Sequence, residues 1–557
     1  MSLAEFGELF EPADVHVAQR LTAMAKEPDE SVALAVAIAV RALRGGSVCV
    51  DLRSIASQLE RPDLPWPSPD DWLAAVQAST LVTKTPVLRL FGSLLYLDRY
   101  WLEEQQVCDD VLTLLSSTLP GEVPSLERLF PEGWEEQRAA AEIALTQSLT
   151  VLTGGPGTGK TTTVARLLAL LAEQASLSGR PPLRIALAAP TGKAAARLLE
   201  AVQLEVDKLD AVDRDRLPAL KASTLHRLLR SRPGNSSRFR HHRENRLPHD
   251  VIVVDETSMV SLTLMARLLE ALRPDSRLLL VGDPDQLASV EAGAVLADMV
   301  DGLGERPDVR IAALQTSHRF GESIGALASA IRSGEVDDVI ALLRTGGDHI
   351  EWLDTDTSAE PLRKVLLPHA LRLREAAILG DVRAALSTLD EHRLLCAHRR
   401  GPYGVRFWNH QVERWLTDAT GEPLWTQWYA GRPVLVTAND YGLGLYNGDT
   451  GVTVVRGDGL RAVVAAGSEP LEFATGRLAD VETMHAMTIH KTPGSQADEV
   501  TVLMPPEDSR LLTRELFYTA VTRARQKIRV FGSEDSVRAA VQRRAVRASG
   551  LAQRLRA

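Results

Sequence analysis

Residues 148–163 read SLTVLTGGPGTGKTTT and decide the fold of the region around them. An apolar run that is typical of a buried strand leads into a glycine-rich turn, and the pattern G-x-x-x-x-G-K-[ST] spans Gly154 to Thr161. Glycines allow backbone N–H groups to converge on phosphate oxygens at the N-terminus of the following helix. The stretch therefore predicts a P-loop between a strand and a helix. Such loops serve pumps, switches, kinases and motors alike, so the loop alone leaves the activity open.

The P-loop predicts a nucleoside triphosphate and Mg²⁺ as cofactors. We expect the Lys160 amine to reach the β- and γ-phosphates and the Thr161 hydroxyl to be a metal ligand. The residues predicted to bind the nucleotide here are Gly154, Gly155, Pro156, Gly157, Thr158, Gly159, Lys160, Thr161 and Thr162.

The composition is that of an ordinary globular enzyme. The 557 residues are 45% hydrophobic and 24% charged, and the length suits roughly three to four domains of about 150 residues. A net charge of −10 excludes a chain coated in positive charge but allows a locally basic groove for nucleic acid. Three widely spaced cysteines favour a reduced, intracellular protein without disulfides.

The apolar run 31–40 is too short for a bilayer, and the acidic N-terminus does not resemble a signal peptide, so we expect a cytoplasmic enzyme without membrane attachment.

The order of patterns along the chain predicts an α/β protein with two cores. From residue 134 onward, short apolar runs alternate with helical patterns, which indicates a parallel sheet that binds ligands at the carboxyl ends of its strands. The predicted parts are a helical N-terminal domain (1–115), a linker (116–133), a first core (134–315), and a second core (316–398 and 486–557) interrupted by a β-rich insertion (399–485), in which YNGDTG indicates a hairpin.

Acidic and amide side chains follow two further predicted strands. Asp255 and Glu256 come directly after the apolar run VIVV, where Asp255 would hold Mg²⁺ through water and Glu256 would polarise the attacking water. Gln286, in GDPDQL, follows another strand, where its amide can hydrogen-bond the γ-phosphate or the attacking water. An acidic pair can also cap a helix, but its position downstream of a P-loop favours hydrolysis.

The motifs occur in an order that resembles superfamily 1 DNA helicases, especially the branch that moves 5′→3′. After the P-loop come APTGKAA (189–195), TLHRLL (224–229), VDETSM (254–259), GDPDQL (282–287), QTSHRF (315–320), MTIHK (487–491) and YTAVTRAR (518–525). Within that branch the chain is most similar to the RecD family, the alpha subunits of the RecBCD enzyme (exodeoxyribonuclease V), also through LLCAHRRGPYGV and GRPVLVTANDYGLGLYNGDTG.

The resemblance implies a fold and roles for particular residues. It implies two RecA-like P-loop NTPase cores, a helical N-terminal docking domain and a small inserted SH3-like β domain. It also implies that Gln137 contacts adenine and selects ATP, and that Arg319 and Arg523 approach the γ-phosphate from the second core, coupling hydrolysis to closure of the cleft. Taken alone, each arginine could equally form a surface salt bridge. The implied catalytic residues are Lys160, Glu256, Gln286, Arg319 and Arg523.

DNA contacts are expected in loops on the other edge of the same sheets. Hydroxyls, amides and cations there would bind phosphates without reading bases. The candidates are Thr191, Lys193, Thr224, His226, His490 and Lys491. The basic cluster RFRHHRENR (238–246) resembles by position a small 1B insertion at about 230–249, with a solvated loop as the alternative. Trp408, Trp415, Trp425 and Trp428 could stack on bases. However, the spacing of a helical core is met by Phe407, Trp408, Val412, Trp415 and Leu416, which favours packing.

The function implied is that of an ATP-dependent 5′→3′ single-strand DNA translocase and helicase. It would be one subunit of a RecBCD-type complex for double-strand-break repair and recombination, acting at a duplex end with RecB-like and RecC-like subunits in a heterotrimer. Two alternatives stay open: an autonomous RecD-like helicase, and a regulatory subunit that binds ATP and DNA with little motor activity. We find no further carboxylate cluster for a two-metal nuclease, so nuclease activity would belong to a partner.

One segment departs from the family pattern and generates a prediction. HKTPGSQ at 490–496 has Pro493 where the family usually has glutamine and Gln496 where glutamate is common. Proline removes a backbone donor and disfavours helical geometry at Thr492, so we expect a motor that is weakened or partner-dependent, not abolished. Pro493→Gln should raise DNA-stimulated ATP hydrolysis and translocation severalfold, measured by steady-state hydrolysis with and without single-stranded DNA. Unchanged rates would contradict the hypothesis.

Overall fold

The structure, a computed structural model, describes most of the chain. The described residues are 3–84, 86–117, 123–232, 235–316, 322–354, 359–424, 426–440, 442–457, 459–465, 469–492 and 494–556. Arg319, Trp425 and Pro493, all singled out above, lie outside these ranges. The described residues form a mixed α/β molecule. It has two parallel sheets, a three-stranded and a five-stranded antiparallel sheet, and a two-stranded hairpin.

The N-terminal region contains a small sheet as well as helices, which the expectation of a mainly helical domain did not include. Its three strands are antiparallel in the order β1-β3-β2. The apolar helix α2 is capped by the Asp29 side chain, which accepts from the Ser31 amide, and most of its middle is buried. The elements are α1 (Pro12–Ala25), α2 (Glu30–Arg44), β1 (Cys49–Asp51), α3 (Ile55–Gln58), α4 (Pro69–Ala78), α5 (Thr80–Thr83), β2 (Leu88–Phe91), β3 (Leu94–Leu97) and α6 (Asp98–Leu115).

The first parallel sheet has six strands in the order β11-β4-β10-β9-β5-β6. Its central strands are apolar and buried along their length, as expected for a parallel sheet with helices on both faces. A separate hairpin, β7–β8, lies in the predicted 1B insertion. The elements are α7 (Glu135–Thr146), β4 (Leu149–Gly154), α8 (Lys160–Leu177), β5 (Ile185–Ala189), α9 (Gly192–Val206), α10 (Ala211–Arg216), β6 (Ala222–Thr224), α11 (Leu225–Leu229), β7 (Ser231–Arg232), β8 (Asn235–Phe239), β9 (Val251–Val254), α12 (Leu262–Glu270), β10 (Arg277–Gly282), α13 (Val295–Gly304) and β11 (Ala312–Leu314).

The second parallel sheet has five strands in the order β12-β21-β20-β13-β19, and an antiparallel sheet is inserted before β19. The elements are α14 (Glu322–Ser333), α15 (Val336–Thr345), β12 (Ile350–Leu353), α16 (Glu360–Ile378), α17 (Val382–Glu391), β13 (His392–Cys396), α18 (Val405–Thr420), β14 (Pro433–Val436), β15 (Thr450–Arg456), β16 (Gly459–Ala465), β17 (Leu471–Ala474), β18 (Val481–Thr483), β19 (Ala486–Thr488), β20 (Ala497–Leu503), α19 (Arg514–Val521), β21 (Ala524–Phe531), α20 (Glu534–Gln542) and α21 (Leu551–Arg556).

The inserted sheet runs in the order β17-β16-β15-β14-β18, and its pairs are antiparallel. Strands β14 and β15 pair as the hairpin prediction requires. Residues 437–449 join them, and a tight turn lies within YNGDTG, where the Asp449 amide donates to the Tyr446 carbonyl at 3.0 Å. Ahead of this sheet, α18 buries Trp408 and Trp415 in a cluster with residues of β13 and β19. The packing interpretation is therefore confirmed for these two tryptophans and for the buried Val412 and Leu416, but it is wrong for Phe407, which is 44% exposed.

The C-terminal segment leaves the second sheet and contacts the N-terminal region and the first core. Helix α21 packs against α13 and α6, and the amide of Val48 donates to the carbonyl of Ala548 at 2.9 Å. Helices α13 and α21 approach closely, since a Cβ on Gly302 would lie 2.8 Å from the Ala552 carbonyl oxygen. In the described part of the chain, no helix is both long and apolar enough to cross a membrane.

A buried ion pair joins helix α21 to helix α6 and leads to a prediction about the stability of the protein. Glu104 is fully buried and accepts from Arg554 Nε at 3.0 Å and from the Tyr96 hydroxyl at 2.9 Å. Arg554→Ala would leave the carboxylate buried without its cation, and we expect the free energy of unfolding to fall by about 3–5 kcal/mol. Urea denaturation followed by circular dichroism measures this change.

The neighbouring Arg556 offers a matched control for that experiment. It pairs with Glu305 at 3.1 Å, and both side chains are exposed. Because exposed pairs contribute at most about 1 kcal/mol, Arg556→Ala should shift the unfolding midpoint little. Equal midpoints for the two variants would show that the Glu104 pair does not hold the helix.

Candidate nucleotide site and DNA-facing loops

A cleft lies between the carboxyl edge of the first sheet and the amino edge of the second. On the first side, Asp255 follows β9 and Asp283 follows β10. On the second side, Gly494 and Gln496 precede β20, and Arg523 precedes β21. All five residues line one cavity of about 930 Å³, together with the P-loop. A ligand in this cavity would therefore touch both sheets.

The glycines of the P-loop occupy positions that other residues would not fit. Gly157 and Gly159 have φ angles of +83° and +84°, in the left-handed region that disfavours a Cβ. A Cβ on Gly154 would lie 2.6 Å from Thr158 Oγ1 and 2.8 Å from the Leu314 carbonyl oxygen. The loop between β4 and α8 is thus a tight turn whose backbone faces the cavity.

Lys160 is held at the start of α8 by the loop itself. Its amine donates to the carbonyl oxygens of Gly154 at 2.5 Å and Gly155 at 2.8 Å. Burial lowers the pKa of the ammonium, while the nearby carboxylates of Asp283 and Asp255 act in the opposite direction. Because charge-assisted hydrogen bonds are stronger than those to neutral carbonyls, phosphate oxygens would be better partners for this buried cation.

The acidic pair lies where a divalent cation could be held. Burial and the adjacent Glu256 carboxylate raise the pKa of Asp255, so a bound cation would favour its charged form. Glu256 has a φ of +50°, which is uncommon for a residue with a Cβ and is found at functional turns. Thr161 lines the same cavity, and hydroxyl and carboxylate oxygens suit Mg²⁺. Within the described ranges, no group of three or more His, Cys, Asp or Glu side chains could form a metal site by itself.

Gln286 is fixed by groups from both sheets. Its Nε2 donates to Asp283 Oδ2 at 3.0 Å, and its Oε1 accepts from Arg523 Nη2 at 2.5 Å. The Tyr518 hydroxyl donates to the same Asp283 oxygen at 2.9 Å. These four side chains form a buried network that spans the cleft. We name residues 282–293, which contain Gln286, the sensor loop.

Sequence reasoning predicted Gln286 and Arg523 but missed their partners. Asp283 and Tyr518 both lie inside the motifs quoted for the resemblance, but neither was assigned a role. Burial raises the pKa of both groups. An ionisable residue directly after an apolar strand was the available signal for Asp283, whereas nothing local indicates that Tyr518 would reach it.

Of the two remaining residues predicted to contact the nucleotide, the structure describes Gln137 but not Arg319. Gln137 in α7 is only 5% exposed, and its Nε2 lies 3.9 Å from the position of a Cβ on Gly159. It lines the same cavity as Trp134 and the P-loop. Arg319 lies outside the described residues, so its implied role stays a prediction.

Two predicted DNA-binding threonines are helix caps. Thr191 Oγ1 accepts from the Ala194 amide, and Thr224 Oγ1 accepts from the Arg227 amide, both at 3.2 Å. They follow the neighbouring parallel strands β5 and β6, so the two loops lie side by side. The expectation that these loops occupy the other edge of the sheet from the P-loop is wrong, because all follow carboxyl ends of parallel strands in one sheet.

The predicted DNA-binding cations are already engaged within the chain. Lys193 Nζ donates to the Gly448 carbonyl at 3.1 Å, and Lys491 pairs with Glu482 at 2.8 Å. His490 is half-buried, and burial lowers its pKa. His226 is exposed at the start of α11, where the side chain is accessible. Each lysine ammonium has three N–H donors, so a DNA phosphate would share these cations with their internal partners or displace those partners.

Comparisons with known proteins match most of the chain. Three family models cover parts of it: the N-terminal domain of RecBCD enzyme subunit RecD at 7–96, an AAA domain at 137–292, and a UvrD-like helicase C-terminal domain at 483–531. The chain is 74% identical to RecBCD enzyme subunit RecD of Mycolicibacterium smegmatis, over 100% of this chain and 99% of that protein. It is 32% identical to the ATP-dependent RecD2 DNA helicase of Deinococcus radiodurans, over 76% and 52%. A crystal structure of Pif1 helicase from Bacteroides with ADP-AlF3 and single-stranded DNA aligns over 71% of this chain and 91% of that one, at 17% identity and a TM-score of 0.39.

The bond from Tyr518 to Asp283 generates a kinetic prediction. Tyr518→Phe removes one link across the cleft and leaves the P-loop intact. A hydrogen bond to a carboxylate is worth roughly 1.5–3 kcal/mol, so kcat for ATP hydrolysis should fall about tenfold or more while the Kd for ATP changes less than about twofold. Tyr100→Phe, in α6 of the N-terminal region, is the control. An equal kcat in wild type and Tyr518→Phe would show that this link does not contribute to closure.

Proposed function

Because this chain belongs to the RecD family of RecBCD enzyme subunits, we propose that it is the 5′→3′ motor of a RecBCD-type complex. It is an ATP-dependent DNA helicase subunit that uses Mg²⁺, translocates on single-stranded DNA from a duplex end, and assembles with RecB-like and RecC-like subunits in double-strand-break repair and recombination. The family membership and the AAA and helicase domain matches support the ATPase and helicase activity.

One observation supports motor activity most directly: the network around Gln286 joins the two sheets inside the cavity. Arg523 and Tyr518 reach it from the second sheet, and Asp283 holds it from the first. A triphosphate in the cavity would compete for Arg523, and its hydrolysis would release it again. The separation of the sheets would thereby depend on the state of the nucleotide, which is what a motor requires.

The proposed chemistry divides among the residues of the cavity. Lys160 binds the β- and γ-phosphates, and Thr161 and Asp255 hold Mg²⁺, which would neutralise charge on the phosphates. Glu256 orients and polarises the attacking water. Arg523 stabilises charge on the transferring phosphoryl group, with Arg319 assigned the same role through the family resemblance.

The proposed DNA path crosses loops of both sheets. The loops after β5 and β6 belong to the first sheet, and the loop after β19 belongs to the second. They meet where a Cβ on Gly494 would lie 3.4 Å from the Cα of Ala194. A change in the width of the cleft would therefore shift the loops of the first sheet relative to the loop of the second sheet along a bound DNA strand.

The domain division is proposed in the same terms. The first core at 134–315 and the second at 316–398 and 486–557 are RecA-like, the insertion at 399–485 is SH3-like, and residues 1–115 dock to the partner subunits. The antiparallel strands β14–β18 support the proposed insertion, although α18 packs with the second sheet.

The test of the motor is DNA-stimulated ATP hydrolysis by the full chain. We expect single-stranded DNA to stimulate hydrolysis, and Lys160→Gln and Arg523→Ala to remove the stimulated rate, because a cation on the transferring phosphoryl group is worth roughly 10³–10⁵ in rate. Arg414→Ala, an exposed arginine on α18, is the matched control. Displacement of streptavidin from the 3′ but not the 5′ end of a single strand would establish the direction.

The other outcomes of these assays distinguish the partner-dependent motor from the autonomous helicase and from the regulatory subunit. Stimulation and unwinding by the chain alone would favour an autonomous helicase. Stimulation only after addition of the two partner subunits would support a partner-dependent motor. Binding of ATP and DNA without turnover in either setting would favour the regulatory alternative and contradict the proposal.

A further inference from the structure

Residues 543–549, which we name the C-terminal strap, connect α20 to α21 without forming a regular element. The strap begins beside α19, the helix that contains Tyr518. The Arg514 amide donates to the Arg543 carbonyl at 2.8 Å, and the Ala545 amide donates to Glu515 Oε2 at 2.8 Å. The first half of the strap is therefore attached to α19 of the second core.

The middle of the strap is attached to the sensor loop. Arg547 Nη1 donates to the Ser289 carbonyl and, at 3.1 Å, to the Glu291 carbonyl. The Ser289 amide in turn donates to the Ser258 carbonyl at 3.1 Å, two residues after Glu256. One guanidinium thus holds the backbone that connects Gln286 to the acidic pair.

The end of the strap is attached to the N-terminal region. The Val48 amide donates to the Ala548 carbonyl at 2.9 Å, and the Ala548 amide donates to Ser47 Oγ at 3.1 Å. Gly46 has a φ of +89°, and a Cβ there would lie 2.9 Å from Arg547 Nη1. The Gly46 carbonyl also accepts from the Gly293 amide at 2.9 Å, so Arg547 lies between the N-terminal region and the sensor loop.

We propose that the C-terminal strap couples the N-terminal region to the nucleotide site, with Arg547 as the positioning residue of the sensor loop. This inference rests on the proposed binding of ATP in the cleft. A nucleotide that closes the cleft moves α19 relative to the sensor loop, and the strap is attached to both. Seven residues span at most roughly 25 Å when extended. Hydrogen bonds at the beginning, middle and end of this short segment would transmit the movement to residues 46–48.

Coupling of this kind acts in both directions. If ATP changes the stability of the contact between Val48 and Ala548, a partner that docks on the N-terminal region changes the affinity of the site for ATP by the same factor. The strap supplies the physical connection that such a claim requires, because a single short segment bonds to both sides of the cleft and to the docking region. Partner subunits would thereby regulate the motor without touching the nucleotide.

Hydrogen–deuterium exchange of the full chain tests the inference. We expect magnesium AMP-PNP to slow exchange in peptides covering 46–52 about threefold in the wild type, because closure tightens the Val48 amide bond. Arg547→Ala should abolish that response, and Arg547→Lys should restore part of it. Val546→Ala, at a strap residue that is 68% exposed, should respond like the wild type.

A merely structural role for Arg547 gives a different result. In that case Arg547→Ala would speed exchange at 46–52 equally with and without nucleotide and keep the threefold ratio, which would overturn the inference. The absence of a response at 46–52 in the wild type, with the P-loop peptide 154–163 protected by nucleotide, would overturn it as well.

The same samples distinguish this inference from the proposed function. Failure of AMP-PNP to protect residues 154–163 in the wild type would contradict ATP binding, and the inference would fall with it. Protection and coupling without DNA-stimulated hydrolysis would contradict the motor and leave the coupling standing.

Discussion

The hydrogen bond from Arg523 to Gln286 is the contact on which the arrangement of the cleft depends. With the bond from Tyr518 to Asp283 and the bond from the Leu287 amide to the Thr519 hydroxyl, it joins the two sheets across the cavity. The bonds to Gln286 and Asp283 are buried, where a hydrogen bond is stronger than in water and an unpaired polar group is costly. A bound nucleotide would bring phosphate oxygens to these groups, which would then exchange partners as the cleft closes around it. In the proposed motor, nucleotide binding and the relative position of the two sheets would therefore be linked.

The first sheet places two kinds of loop on one rigid edge. The P-loop, Asp255 and the sensor loop follow β4, β9 and β10, while Thr191 and Thr224 follow β5 and β6. Since these strands pair directly, their ends move together. The nucleotide groups and the proposed DNA groups of this sheet thus form one body, and relative movement arises only against the second sheet. Lys193, bonded to Gly448, adds the inserted sheet to the contacts that must adjust.

Local patterns predicted the parts of the site that lie at strand ends. The P-loop at 148–163 needs only glycines and one lysine in a fixed order, and buried parallel strands appear as apolar runs bounded by turns. The partnership of Asp283 with Tyr518 joins residues far apart in the chain, so no local pattern contains it. The hydroxyls of Thr191 and Thr224 suit a helix cap and a phosphate contact equally, and only the structure shows the cap. The N-terminal strands of three or four residues are too short for a periodicity to reveal.

The contacts between the N-terminal region and residues 548–554 have a consequence for folding during synthesis. Val48 pairs with Ala548, and Glu104 in α6 receives Arg554 from the last helix. A ribosome synthesises these partners hundreds of residues apart. The core of the N-terminal region therefore stays incomplete, with the Glu104 carboxylate in water, until residue 554 has been made. Contacts this distant in sequence slow folding and prolong the exposure of apolar surface. The nascent N-terminal region is thus exposed to aggregation until residues 548–554 can reach it.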